Sequence, residues 1–296
     1  MDRISKRFGA IEAVSDISFD AQPGEILGFL GPNGAGKTTT LRMIMGILRP
    51  DQGGIRYGRS GQSGKVPKSR VGYLPEERGL YDDARVMDIL VYFAQLKDVP
   101  RSEARDRATK WLDRLDLEAW GQRKVAKLSK GMQQKVQFIA AMLHEPDLVV
   151  FDEPFSGLDP VFQDLFKGII REQREEGKAI LLSSHQMNRV EELCDRILLI
   201  HAGREVLRGP LQRIREGAGF HVVSMRFSGD ASFLRGHEGI SRLALGSDLA
   251  TFVLDDATAP DSFVRSLPPE IVIREMSIQR PPLHDIFVRA VEGTAS

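Results

Sequence analysis

Cys194 is the only cysteine in 296 residues, so the chain can close no internal disulfide, and a reducing compartment is its natural setting. Neither charge is in surplus, since Lys and Arg total 41 and Asp and Glu total 41. A protein that covers nucleic-acid phosphates or an anionic surface carries excess positive charge, so this balance argues against nucleic acid as the main partner. Long apolar runs are missing as well. Runs such as Ile180-Leu181-Leu182 and Ile197 to Ile200 fall far short of the about 20 residues a membrane span requires. The opening Met1-Asp2-Arg3-Ile4-Ser5 has no apolar stretch of the secretory kind. Internal repeats and low-complexity tracts are also lacking. These absences predict a cytoplasmic chain that reaches a membrane only if something else holds it there.

Apolar residues make up 42% and charged residues 28%, the balance of a folded globular protein. Residues 25–30 form a short apolar run that ends in a Gly-rich turn, and Thr38 to Leu48 follows with helical character. Leu148 to Phe151, Ala179 to Leu182 and Arg196 to Ile200 read as further buried strands, separated by helix-length stretches at Pro160 to Glu176 and Met187 to Leu193. This alternation predicts an α/β fold with a mostly parallel sheet between helices. About residues 83–143 show amphipathic helical spacing, as at Trp111, Leu112, Leu115 and Leu117, and predict an inserted helical subdomain. After Gly209-Pro210 the periods weaken. Strands are expected at Phe220 to Phe227 and Glu270 to Ile278, with a last helix over Leu283 to Val291. The expected division is a main domain over 1–215 and a small α+β appendage over 216–296.

Two motifs carry chemistry. Gly31-Pro32-Asn33-Gly34-Ala35-Gly36-Lys37-Thr38, with Thr39 next, fits G-x-x-x-x-G-K-[ST] between a predicted strand and a predicted helix. Glycines let successive N–H groups approach phosphate oxygens, and the helix presents its positive end to them. Lys37 is expected to reach the β- and γ-phosphates of a nucleotide, and the Thr38 hydroxyl to ligate Mg²⁺. The second motif, Leu148-Val-Val-Phe-Asp-Glu-Pro154, is a strand that ends in two carboxylates. Asp152 is placed to hold Mg²⁺ through water. Strand side chains alternate, so Glu153 should point elsewhere and be free to act as general base.

With their surroundings these motifs resemble the nucleotide-binding domain of ATP-binding-cassette (ABC) proteins, a P-loop ATPase fold, over roughly residues 3–210. Leu128-Ser-Lys-Gly-Met-Gln-Gln134 stands where that family carries Leu-Ser-Gly-Gly-Gln, and Ser156-Gly-Leu-Asp159 matches the loop after the acidic strand. His185 takes the place of the switch histidine, Phe8 that of the adenine-stacking aromatic, and Gly72-Tyr-Leu-Pro-Glu76 that of the Q-loop. The resemblance implies a head-to-tail homodimer with shared ATP. Ser129 and Gly131 of one copy would contact the γ-phosphate bound by Lys37 of the other. Asp159 would relay between the sites, His185 would orient water, and Phe8 would stack on adenine. Two motifs depart from the pattern: Glu76 replaces the usual Gln and is expected to act as a metal-dependent ligand, while Lys130 and Met132 alter the signature.

Gly72 to Tyr81, Leu128 to Lys135 and Leu283-His-Asp-Ile-Phe287 further resemble bacterial sodium-extrusion and drug-export ATPases. They imply a peripheral subunit on the inner face of the cell membrane that drives export through a separate polytopic membrane protein. One alternative is a soluble ATPase acting on ribosomes or DNA. A single cassette without sustained heptads disfavours it. Another is a nucleotide switch that hardly turns over, which Glu153 and His185 disfavour. His144, His201 and His284 are expected to be structural.

Overall fold

A computed structural model describes residues 1–58, 67–77 and 79–294; Arg78, within the Gly72 to Tyr81 motif, lies outside them. The chain divides into two compact units, Met1–Gly209 and Pro210–Ser296.

In the first unit, β1 (Asp2–Phe8), β2 (Ile11–Ile17) and β4 (Gln52–Gly54) form a three-stranded sheet in the order β2-β1-β4. None of these strands stands out in the sequence, because Asp2-Arg-Ile-Ser-Lys-Arg-Phe8 puts charge on an exposed face and buries only Ile4 fully. A second sheet has six strands in the order β5-β6-β7-β3-β8-β9: β3 (Ile26–Leu30), β5 (Val71–Leu74), β6 (Leu148–Asp152), β7 (Ala179–Ser184), β8 (Arg196–His201) and β9 (Arg204–Pro210). The pairs β5/β6, β6/β7, β7/β3 and β3/β8 are parallel. Every residue of β3 and of β7 is buried, which is why β3 and Ala179 to Leu182 of β7 read as apolar runs rather than as alternations. The α/β class with a mostly parallel sheet is the fold observed.

Helix α1 (Lys37–Ile44) ends earlier than the sequence suggested, because Gly46 takes a φ of +66° and turns the chain out of the helix. Residues 83–143 hold α2 (Val86–Gln95), α3 (Arg101–Arg114) and α4 (Lys130–Met142), with short 3₁₀ turns at Glu118–Trp120 and Val125–Lys127. α5 (Pro160–Glu175) and α6 (Met187–Glu191) follow strands β6 and β7. α4 packs closely over β5 at Gly72, where a Cβ would stand 2.3 Å from the Ala141 carbonyl oxygen. A side chain there would force helix and strand apart.

His144, just beyond α4, is a structural residue of this contact. It is buried and its Nε2 lies 3.1 Å from the Val71 carbonyl oxygen, so the neutral ring donates there. Burial pushes its pKa from 6.5 down to about 4. The unfolded chain therefore binds this proton more readily than the folded one. The stabilisation is complete above pH 6.5 and is lost as pH falls through about 4. His144→Gln keeps an N–H donor and removes the titration. Wild type is expected to lose roughly 2 kcal/mol more than the variant between pH 7 and pH 4. Urea melts at the two pH values check this; parallel losses would sink it.

The second unit holds α7 (Leu211–Glu216), β10 (Phe220–Ser228), β11 (Ile240–Leu245), β12 (Leu249–Asp255), α8 (Pro260–Arg265), β13 (Val272–Gln279) and α9 (Leu283–Thr294). Its strands form an antiparallel sheet in the order β11-β12-β10-β13. One face buries Val223, Met225, Phe227, Phe252, Leu254 and Phe263. The hairpin β11–β12 went unread because Gly239, Gly246 and Asp248 break up its apolar pattern. Among the described residues no helix is long and apolar enough to cross a membrane.

Candidate active site

The loop from Gly31 to Gly36 leaves the buried strand β3 and delivers Lys37 to the first position of α1. Gly36 has φ +102°, and a Cβ on it would stand 2.3 Å from the Ala13 carbonyl oxygen, so only glycine fits. Lys37 is 6% exposed; its Nζ donates to the carbonyl oxygens of Gly31 (2.8 Å) and Pro32 (3.3 Å). A pocket of about 270 Å³ opens here, lined by Ala13, Asn33, Gly34, Gly36, Lys37, Thr38, Thr39, Glu76 and Glu153.

Both carboxylates of the β6 motif reach this loop, at different atoms. Asp152 Oδ1 accepts from Ser183 Oγ at 2.6 Å and from Thr38 Oγ1 at 3.4 Å. Its Oδ2 is buried without a hydrogen-bond partner among the described residues. Burial raises the Asp152 carboxyl above its ordinary value against the opposing hydrogen bonds from Ser183 and Thr38. An orphaned carboxylate oxygen beside a hydroxyl oxygen is a donor set suited to a hard divalent cation.

Glu153 lies beyond the end of β6 and takes a left-handed φ of +49°. Backbone departure, rather than strand alternation, aims it away from Asp152. For a non-glycine residue this conformation costs about 1–2 kcal/mol, offset here by the Glu153 N–H donating to Ser183 Oγ at 3.1 Å. Its Oε1 comes to 3.4 Å from Lys37 Nζ and 3.0 Å from His185 Nδ1, without the geometry of a hydrogen bond. Glu153 is 7% exposed, whereas the His185 side chain is 41% exposed and faces out.

The structure thus gathers Lys37, Thr38, Asp152, Glu153 and His185, with Glu76 on the pocket wall. The other expected residues stand apart. Phe8 ends β1 opposite Ile11 and is 47% exposed, with Lys6 Nζ 5.5 Å from its ring centre; it fills no core. Ser129 caps α4, its Oγ accepting from Met132 N–H at 3.3 Å, and Gly131 lies in the first turn. Asp159 caps α5, its Oδ1 accepting from Phe162 N–H at 2.9 Å. None of these four lines the pocket. Sequence reasoning missed Ser183, which joins both carboxylate residues. Its signal was a polar residue closing the apolar strand Ala179-Ile-Leu-Leu182, in register with Asp152.

A glycine-built phosphate loop between a central parallel strand and a helix, beside an acid-ended strand, defines a P-loop ATPase. Comparison with known proteins narrows this class. Residues 14–156 match the family profile described as "ABC transporter", and residues 209–291 match "ATP-binding protein DrrA1-3-like, C-terminal domain". The chain is 39% identical over 291 residues to the uncharacterized ABC transporter ATP-binding protein YhaQ of Bacillus subtilis (strain 168), covering 98% of this chain and 97% of that protein. It is 36% identical over 237 residues to the Nod factor export ATP-binding protein I of Paraburkholderia xenovorans (strain LB400), covering 79% and 78%. Among solved structures, an ATP-binding subunit of an ABC transporter superposes with a TM-score of 0.67 at 33% identity, covering 73% of this chain and 90% of that one. The chain belongs to the ABC transporter ATP-binding proteins: it binds and hydrolyses ATP as a transporter subunit. Subunits of this family work with membrane subunits and as dimers.

Proposed function

We propose that this subunit drives export of a small solute, a sodium ion or a drug-like compound, through a separate polytopic membrane protein, from the inner face of the cell membrane. Support comes from the relative named for Nod factor export, which matches 79% of this chain at 36% identity. In this reading residues 1–215 are the motor, and residues 216–296 are an accessory domain for regulation or dimer support.

The observation that carries the mechanism is the convergence of Lys37 and His185 on one carboxylate oxygen of Glu153. Lys37 neutralises phosphate charge while Gly31 to Thr39 cradle it. Thr38 and Asp152 would hold Mg²⁺, with Glu76 as a further, metal-dependent ligand. The cation, when bound, screens the phosphate oxygens and polarises the γ-phosphoryl group. Glu153 takes the proton of the attacking water, and His185 orients that water from the exposed side. Phe8 stacks on adenine. Ser129 and Gly131 meet the γ-phosphate held by the partner copy, and Asp159 links the two sites of a head-to-tail homodimer. The chain has no role for nucleic acid in this scheme.

A tagged Glu153→Gln variant, retrieved from solubilised membranes with ATP and Mg²⁺, tests the reading. A polytopic membrane protein is expected in stoichiometric yield, and reconstituting it with this subunit should give outward solute transport. Recovery of ribosomal or DNA-repair components instead would overturn the export reading.

A further inference from the structure

Helix α4 begins at the signature residues, and two of its glutamines bond backbone beside the phosphate pocket. Gln134 Nε2 donates to the Pro154 carbonyl oxygen at 2.9 Å, and Gln137 Nε2 donates to the Glu77 carbonyl oxygen at 3.0 Å. Three residues apart, they share one face of the helix. Pro154 directly follows Glu153, and Glu77 directly follows Glu76. The two acidic residues that line the phosphate pocket are therefore each held, one residue on, by the helix that Ser129 caps.

The two ties are not equivalent. Glu153 is also fixed by Ser183 and by the end of β6. Glu76 is exposed, in a loop beyond β5, and its carboxylate depends on where that loop backbone lies. Gln137 is buried at 7% exposure. A buried amide donor keeps its partner, because leaving it unpaired is costly. A rigid helix holding a loop carbonyl fixes the neighbouring side chain against the pocket.

We infer that Gln137 is a positioning residue that sets Glu76 in the phosphate pocket and ties its placement to the signature helix. The inference rests on the reading of Glu76 as a ligand in that pocket. Gln137→Met keeps the length of the side chain and removes the donor. kcat is expected to fall about fivefold, the factor one neutral hydrogen bond carries, while KM for ATP changes less than twofold. In nucleotide-free protein, amide hydrogen exchange across Val71–Glu77 should speed up while that of β6 stays unchanged. In the Glu76→Ala background, Gln137→Met should add no further loss, since the residue it acts through is gone.

A merely structural Gln137 would give additive losses in the double variant and faster exchange in β6 as well; either result overturns the inference. An unchanged kcat in Gln137→Met, with Glu76→Ala slowed, overturns it while leaving Glu76 in the pocket chemistry. An unaffected Glu76→Ala variant would remove the reading of Glu76 and the inference together.

Discussion

Glu153→Gln is expected to slow ATP hydrolysis by about 10²–10⁴-fold while nucleotide binding survives. The amide matches the carboxylate in shape and cannot take a proton. Glu153 Oε1 sits 3.4 Å from Lys37 Nζ and 3.0 Å from His185 Nδ1, so the substitution also removes a negative charge from the phosphate pocket. Affinity for ATP should therefore hold or rise as kcat collapses, the split expected when a group acts in the transition state alone. The backbone hydrogen bond from Glu153 to Ser183 does not involve the side chain, and the left-handed turn should persist. Single-turnover phosphate release together with equilibrium nucleotide binding measures both. A loss under tenfold would take Glu153 out of the base role.

Lys37→Met should act twice. Charge-assisted contacts to phosphate contribute about 1.5–3 kcal/mol, so ATP affinity is expected to fall roughly 10–100-fold. The same change strands Glu153, which is 7% exposed and loses its buried cation. Removing one partner of a buried pair costs up to about 3–5 kcal/mol. Adding Glu153→Gln to Lys37→Met should recover most of that stability and none of the affinity. Urea unfolding of the four proteins of this cycle gives the coupling energy directly. Additive changes in stability would show that the two side chains do not sense one another.

Much of the site was legible because its parts are contiguous in the chain. The run from Gly31 to Thr38 needs its glycines for a backbone that no other residue adopts, so composition and spacing alone announce it. The buried strands of the six-stranded sheet read as apolar runs for a similarly local reason: with both faces covered, nearly every position must be apolar. The hairpin β11–β12 and the sheet β2-β1-β4 were illegible. Their strands are half-exposed and carry charged or turn-forming residues, so packing and cross-strand pairing stabilise them more than local propensity does.

Sequence by itself determined that this chain binds nucleotide phosphate, carries Asp152 and Glu153 at the end of a buried apolar run, and belongs with the ABC ATPases. Each of those properties is written in consecutive residues. Only the tertiary structure decided that Glu153 leaves strand geometry to meet Lys37 and His185, that Ser183 joins both acids, and that Gln134 and Gln137 tie the signature helix to the pocket. Those contacts join residues 20 to 116 positions apart, as with Gln134 and Pro154 or Lys37 and Glu153. Nothing local selects them, because they exist only once the parallel sheet sets β3, β6 and β7 side by side and α4 packs over β5.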